Sequence, residues 1–506
     1  TQVGKSLQFE DMTAREWQYA FFIRDRWQPT PKLTLSYGVR FERYPLMQRV
    51  DRGIESIDWA ALDGGQGMFV LVGGRGGNPE DLGFEVKYPW LVPRVGAAYR
   101  LDDDTVIRAG YGLTLDPIPF ARPLRGFYPL TIAQNFVGAN PFVWPSTLDQ
   151  GIPPLAEPDP SAGRVPLPAT ADMRSPGRDG EIHRGYIHSW NATFERRFQS
   201  DFVVAASYVG TATREALLDL DINAAGPGQG QAGRPLSPFG RTAATTAWAL
   251  GSIDGCDQCG HADYHALQVA VNRPFRNGVL IKGAYTLSRA KNSFSGGPFG
   301  GTDDVGWAGM AWNHESVLDL NYGLAGYDRT HIFSLGLVAE LPFRAENNST
   351  LNAIISGWQV NGIFQGASGT PFTVWSPGDS VNAPGNQQIA DRVGEPNSTG
   401  GVELDQPIYE ISAWAPVTDV RFGNETRNSV RGPGFTNVDL SVFRNFPIGG
   451  HRLEARFEVF NLFNSPRWNN PPNNSGNLVG HPRFMQVVSS VQAYDRQIRF
   501  GVRYSF

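Results

Sequence analysis

Lys32 to Glu42 reads KLTLSYGVRFE, with Leu33, Leu35, Tyr37, Val39 and Phe41 on one parity and Lys32, Thr34, Ser36, Gly38, Arg40 and Glu42 on the other. A two-residue period is that of a β-strand, whose successive side chains point to opposite faces. The second face carries Lys32, Arg40 and Glu42, so it meets water rather than an apolar core. The stretch also has the length, about ten residues, that a tilted strand needs to cross a bilayer.

The same design recurs downstream. Leu453, Ala455, Phe457 and Val459 alternate with Glu454, Arg456 and Glu458, and Trp358, Val360 and Phe364 alternate with Gln359, Asn361 and Gln365. At the end, Ile498, Phe500, Val502, Tyr504 and Phe506 alternate with Arg499, Gly501, Arg503 and Ser505. Strands are expected near residues 15–27, 32–44, 87–100, 105–115, 186–198, 202–214, 263–273, 278–290, 327–341, 354–370, 435–446, 451–463 and 496–506.

Alternation alone also fits a soluble β-sandwich. The connections argue for a barrel instead. Tight ones, at Gln28 to Pro31, Asp102 to Asp104, Gln199 to Asp201, Arg276 to Gly278 and Pro447 to Gly450, alternate with long ones near 45–86, 116–184, 216–262, 291–326, 374–434 and 465–495. Short turns at one end and long loops at the other characterise outer-membrane barrels, whose long loops are extracellular. The expected fold is therefore all-β, an antiparallel transmembrane β-barrel with about 13 strands present.

Composition agrees. The 506 residues include 58 Gly, 37 Pro and 12% aromatics, with only 18% charged residues. The net charge of −5 mixes both signs without a basic run, so no nucleic-acid partner is expected. No apolar window reaches the roughly 18 residues of a helical span. Thr1 does not open a signal peptide, so the start is expected to be trimmed. An odd strand count whose first strand starts on the loop side implies an upstream portion with an odd number of strands, since bacterial barrels have an even total.

Several phrases resemble TonB-dependent outer-membrane receptors, in particular the Oar-like branch: WQPTPKLTLSYGVRF (27–41), PRVGAAYRLDDDTVIRAGYG (93–112) and VLIKGAYTLSRA (279–290). YDRTHIFSLGLVAELPF (327–343), GWQVNGIFQGASGTPF (357–372), VDLSVFRNFPIGGHRLEARFEVFNLFN (438–464) and the terminal RQIRFGVRYSF extend the likeness along nearly the whole chain. The resemblance implies a barrel of about 22 strands closed around an N-terminal plug, of which this chain is the C-terminal portion. It implies TonB-dependent uptake of a nutrient ligand across the bacterial outer membrane, with the TonB complex as partner if a plug and TonB box lie upstream. Neither is in this sequence. The terminal Phe506 resembles the signal read by the barrel assembly machinery; it also suits an aromatic girdle against outer-membrane lipid.

Two other functions fit the same pattern. A structural barrel that self-assembles into an array or tubule would use the long loops as contacts, and a plug-less passive pore would conduct without energy.

Individual sites are sparse. Cys256, Cys259, His261 and His265 form the one dense group of metal-ligand types, yet in an exported loop a Cys256–Cys259 disulfide is expected over zinc. Asp219, Asp221 and Asn223, and Asp303 with Asp304, offer oxygens for loop calcium without matching a complete calcium loop; no cofactor is otherwise expected. Trp248, Trp307, Trp312 and Trp375 are loop aromatics that suit stacking on a ligand or packing the loops on one another. No nucleophile elbow, phosphate-binding loop or metalloprotease helix is present, so an enzyme is not expected.

Overall fold

The computed structural model describes residues 2–506 apart from 10–12, 14, 47–52, 116–127, 138–141, 145, 148, 153, 170, 172, 179, 200, 243, 249–252, 254–255, 295–309, 346–348 and 379. Its dominant feature is one antiparallel sheet of thirteen strands in chain order. They are β1 (Tyr19–Thr30), β2 (Leu33–Arg43), β3 (Leu91–Arg100), β4 (Thr105–Leu115), β5 (Tyr186–Arg197), β6 (Val203–Arg214) and β7 (Ala262–Arg276). β8 (Val279–Asn292), β9 (His331–Glu340), β10 (Trp358–Ala367), β11 (Phe435–Ile448), β12 (His451–Phe460) and β13 (Gln497–Ser505) complete the wall. A two-residue strand, Gly323–Leu324, pairs with β8 beside this path.

Turn chemistry fixes the register at the short end. Asn277 and Gly278 both have positive φ, +50° and +75°, between the paired Arg276 and Val279. That is a two-residue turn whose twist matches the flanking strands. Gly449 and Gly450, at +54° and +93°, do the same between Ile448 and His451.

Four strand starts need correction: the first is at Tyr19 rather than residue 15, the third at Leu91 rather than 87, the ninth at His331 rather than 327, and the tenth at Trp358 rather than 354, where Ser349–Ile355 forms a short α-helix. The Ile354 carbonyl in its last turn accepts from Trp358 Nε1 at 2.9 Å and from Arg444 Nη1, which meets a helix end's need for hydrogen-bond donors. Residues 341–357 therefore form a longer connection among the short turns, and the strict alternation of loop lengths fails there.

Register assigns every wall residue to a face. One face carries, for example, Leu267, Val269 and Val271 of β7 opposite Leu287, Tyr285 and Gly283 of β8. It is bare: Phe500 is 81% and Val502 75% exposed. Among the described residues no second sheet covers it, which excludes the sandwich, and an uncovered apolar surface of this extent belongs in lipid.

The buried core lies elsewhere, in the long connections gathered at one end. Ile57, Met68, Val70, Tyr128, Val165 and Met173 form one cluster from the connections after β2 and β4. Phe372, Val374, Trp414, Val430, Phe484 and Met485 form another from those after β10 and β12. Small sheets stiffen the layer: Glu55–Ile57, Phe69–Val72 and Arg164–Pro166 make one, and Asp219–Asp221, Thr245–Trp248 and Met173–Pro176 another. The loops thus form a folded cap with apolar interiors of its own.

Candidate functional site

The sheet's other face is polar, and its side chains follow from the same alternation. Along β5 to β10 it is mainly uncharged: Asn191, Thr193, Ser207, Gln268, Thr286, Ser334, Asn361 and Gln365 line successive strands. Charge concentrates at the flanks. Arg40 is paired with Glu42 on β2, Arg456 with Glu454 on β12, and Arg108 of β4 with Glu195 of β5 at 3.2 Å. Arg24 and Arg26 of β1 and Arg94 of β3 occupy the same face beside a cavity of about 860 Å³. The sequence reading assigned charge to this face but missed these three as a group. Their signal was present at alternate strand positions, but without the pairing register it could not show which arginines become neighbours.

Side chains stitch the cap from loop to loop. Arg241 donates to the carbonyls of Pro168 at 3.1 Å and Ala171 at 2.8 Å, joining the connection after β6 to that after β4. Arg427 donates to the carbonyls of Asn292 at 2.9 Å and Asn321 at 2.8 Å. Asn386 reaches Ala225 O at 3.0 Å, and Asn477 reaches Thr373 O at 3.0 Å. Arg421 grips both oxygens of Asp391 at 2.5 and 2.9 Å, and its guanidinium holds that carboxyl below the ordinary range.

The tryptophans expected to meet a ligand divide. Trp307 lies outside the described residues, and Trp248 is backbone-paired with Pro176 and Asp219 in a small sheet. Trp312 and Trp375 face inward, a correction to the ligand-stacking reading: Trp312 is fully buried, with its ring 5.7 Å from that of Trp375. Ala311 and Ile389 complete the cluster, and burying large rings is what lets loops without a sheet core hold together.

Cys256 and Cys259 are joined as a disulfide inside a cluster with Leu218, Met310 and Leu318. That bond removes the thiolates a zinc site needs. His265 instead shares a 2.7 Å hydrogen bond with Tyr208 on the apolar face. Burial, aided by the charge of Arg214, holds the His261 imidazole below its ordinary value. Nearby, burial and a 2.8 Å hydrogen bond to Asp263 push the Tyr322 phenol up to about 12.

The oxygen ligands considered for calcium are engaged by protein donors. Asp219 pairs with Arg174 at 2.9 Å, Asp221 accepts from the Asn223 and Thr245 amides, and Asn223 accepts from the Leu236 amide. Asp303 and Asp304 lie outside the described residues. Phe506 is 97% exposed, with its ring 6.1 Å from Tyr504.

Comparison with solved structures returns transporters and receptors. The ferric citrate transporter FecA in its unliganded form is 10% identical, with 97% of this chain and 45% of that chain covered and a TM-score of 0.44. The ferripyoverdine receptor of the Pseudomonas aeruginosa outer membrane, bound to ferripyoverdine, is 10% identical at 97% and 39% coverage, TM-score 0.46. The copper transporter OprC is 10% identical at 98% and 48% coverage, TM-score 0.41. This chain spans less than half the length of each. No curated protein matches by sequence. The family model described as outer membrane beta barrel domain matches residues 1–499, and it agrees with the lipid-facing sheet, so the chain belongs to the outer membrane β-barrel domain family and its place is the outer membrane.

Proposed function

We propose that this chain is the C-terminal wall of a receptor that takes up a nutrient across the outer membrane, driven through TonB, and that it belongs to the Oar-like branch. The observation that carries the reading is the pairing of a thirteen-strand wall, apolar outside and polar inside, with a folded cap on one end. A wet polar face under a structured cap suits capture of a ligand on the outside and passage along the wall. In this reading the cap faces the exterior, and strands and a plug outside residues 1–506 complete the barrel. The edges of β1 and β13 need such partners, because unpaired backbone groups are not tolerated in hydrocarbon.

The long loops do not need an array to account for their length, since much of it builds the cap's interior. The test compares spent medium from the parent strain, a deletion of the gene and a strain lacking TonB function. Compounds cleared by the parent and left by both mutants are the expected result. A deletion strain that clears its medium like the parent refutes uptake.

A further inference from the structure

On the outward, apolar face one side-chain pair occurs three times. Tyr111 of β4 shares a hydrogen bond with Nδ1 of His188 on β5 at 2.8 Å, Tyr208 of β6 with His265 on β7 at 2.7 Å, and Tyr285 of β8 with His331 on β9 at 2.7 Å. Each histidine stands two residues nearer the cap than the residue opposite its tyrosine, which is Trp190, Leu267 or Phe333. These strands lie inside the sheet, each paired on both sides, so the face is an outer surface whatever closes the barrel and fills its lumen.

The three pairs share a height. His265 is level, through Gly210, with Trp190, two residues beyond His188. Arg289 is opposite His265, and His331 is opposite Leu287, again two residues further from the cap. An offset of one residue per strand, about 3.3 Å against a strand spacing of about 4.8 Å, is a tilt of roughly 35°, which is that of barrel strands. The row therefore runs level around the wall. On β5 and β7 the histidine is ten residues from an exposed phenylalanine near the turn end, Phe198 or Phe275. At that tilt the separation is about 27 Å, close to the height of the apolar band of such barrels. The histidines thus stand where hydrocarbon gives way to headgroups.

Each pair presents a donor to its surroundings. If the phenol donates to Nδ1, the neutral ring carries its proton on Nε2; if Nδ1 donates, the phenol hydrogen is free; a protonated ring keeps Nε2–H as well. Hydrocarbon offers no acceptor, whereas headgroup oxygens do. Charge decides which oxygens. Arg289 is directly opposite His265, and Lys291, 5.3 Å from the Tyr322 ring, is one step nearer the cap on the same face. Asp263, opposite Lys291, has both oxygens engaged, by Arg214 at 2.9 Å and by the Tyr322 hydroxyl at 2.8 Å. Arg289 and Lys291 leave an excess of positive charge beside the His265 donor, which favours a phosphate over a neutral ester oxygen.

We propose that Tyr208, His265, Arg289 and Lys291 form, on the outer surface of the wall, a binding site for the phosphate-bearing headgroup of an outer-leaflet lipid. The His188 and His331 pairs continue the row on either side. The site rests on the cap facing the exterior and is independent of uptake.

The test uses the purified full-length gene product in detergent, mixed with diphosphorylated lipid A, with the same lipid stripped of its phosphates, or with inorganic phosphate, and weighed by native mass spectrometry. The expected result is a lipid adduct with diphosphorylated lipid A, at least about tenfold weaker binding of the stripped lipid, and none of inorganic phosphate at millimolar concentration, because it lacks acyl chains to lie along the band. The His265→Phe/Arg289→Gln double variant is expected to bind diphosphorylated lipid A at least about tenfold more weakly, since it loses a donor and a charge while keeping a ring beside Tyr208. His451→Phe, whose ring stacks on Tyr504 at the opposite end of the wall, leaves binding unchanged. Retained heat-modifiable gel mobility shows that each variant is folded.

Equal binding of the stripped lipid overturns the site, as does equal binding by the double variant. Inorganic phosphate bound as tightly as the lipid makes this a site for a free anion and overturns the lipid assignment. Those results leave the medium-clearance test of uptake standing, and a deletion strain that clears its medium normally sinks uptake without touching the site.

Discussion

Replacing Trp312 by Ala tests whether the cap is a folded layer with its own core. Trp312 is fully buried and comes from the connection after β8; Trp375 and Ile389 come from the one after β10, and Leu478 from the one after β12. Among the described residues its Nε1 has no hydrogen-bond partner, so what the substitution removes is packing. Truncating a buried Trp costs about 3–5 kcal/mol, which raises the population of an opened cap by roughly two to nearly four decades. Amide exchange followed by mass spectrometry reads this directly. Faster exchange is expected in peptides from 310–325, 372–392 and 476–488, while strand peptides from β7, β8 and β12 stay protected, because the wall's ladder does not depend on the cap interior. Trp312→Phe, which keeps a ring in place, should show a smaller effect. Unchanged exchange in all three cap segments would refute the common core, and equal loss of protection in the strands would refute the independence of cap and wall.

Three further outcomes follow from particular contacts. The Trp190 indole lies across Gly210 and comes within 5.9 Å of the His265 ring, so a Cβ at position 210 would occupy its space. Gly210→Ala should destabilise the barrel by about 1–3 kcal/mol, seen as a lower midpoint for the heat-induced gel shift, with less effect in a Trp190→Ala background. With its phenol pushed up to about 12, Tyr322 contributes stability that is complete below the ordinary tyrosine value near 10 and lost as pH rises through about 12. The tyrosinate difference spectrum between the parent and Tyr322→Phe should titrate near the higher value, and titration near 10 would refute the burial of the phenol together with its pairing to Asp263. Because Phe506 is 97% exposed, deleting it should leave refolding in detergent unchanged yet reduce the amount of barrel in outer-membrane fractions; normal membrane levels would count against an assembly role.

Sequence alone determined the wall. Alternation in stretches such as 32–42 and 498–506 is a local property, since a strand's two-residue period needs no knowledge of its neighbours. Turn residues such as Asn277–Gly278 likewise carry their conformation with them. The helix at Ser349–Ile355 escaped because seven residues are too few for a helical period to stand out. Only the tertiary structure decided the rest. Nothing local shows whether Trp312 turns toward a ligand or toward Trp375, because that depends on three loops meeting. The grouping of Arg24, Arg26 and Arg94 is equally non-local: pairing brings together residues up to seventy positions apart, and a shift of one residue would turn each to the opposite face.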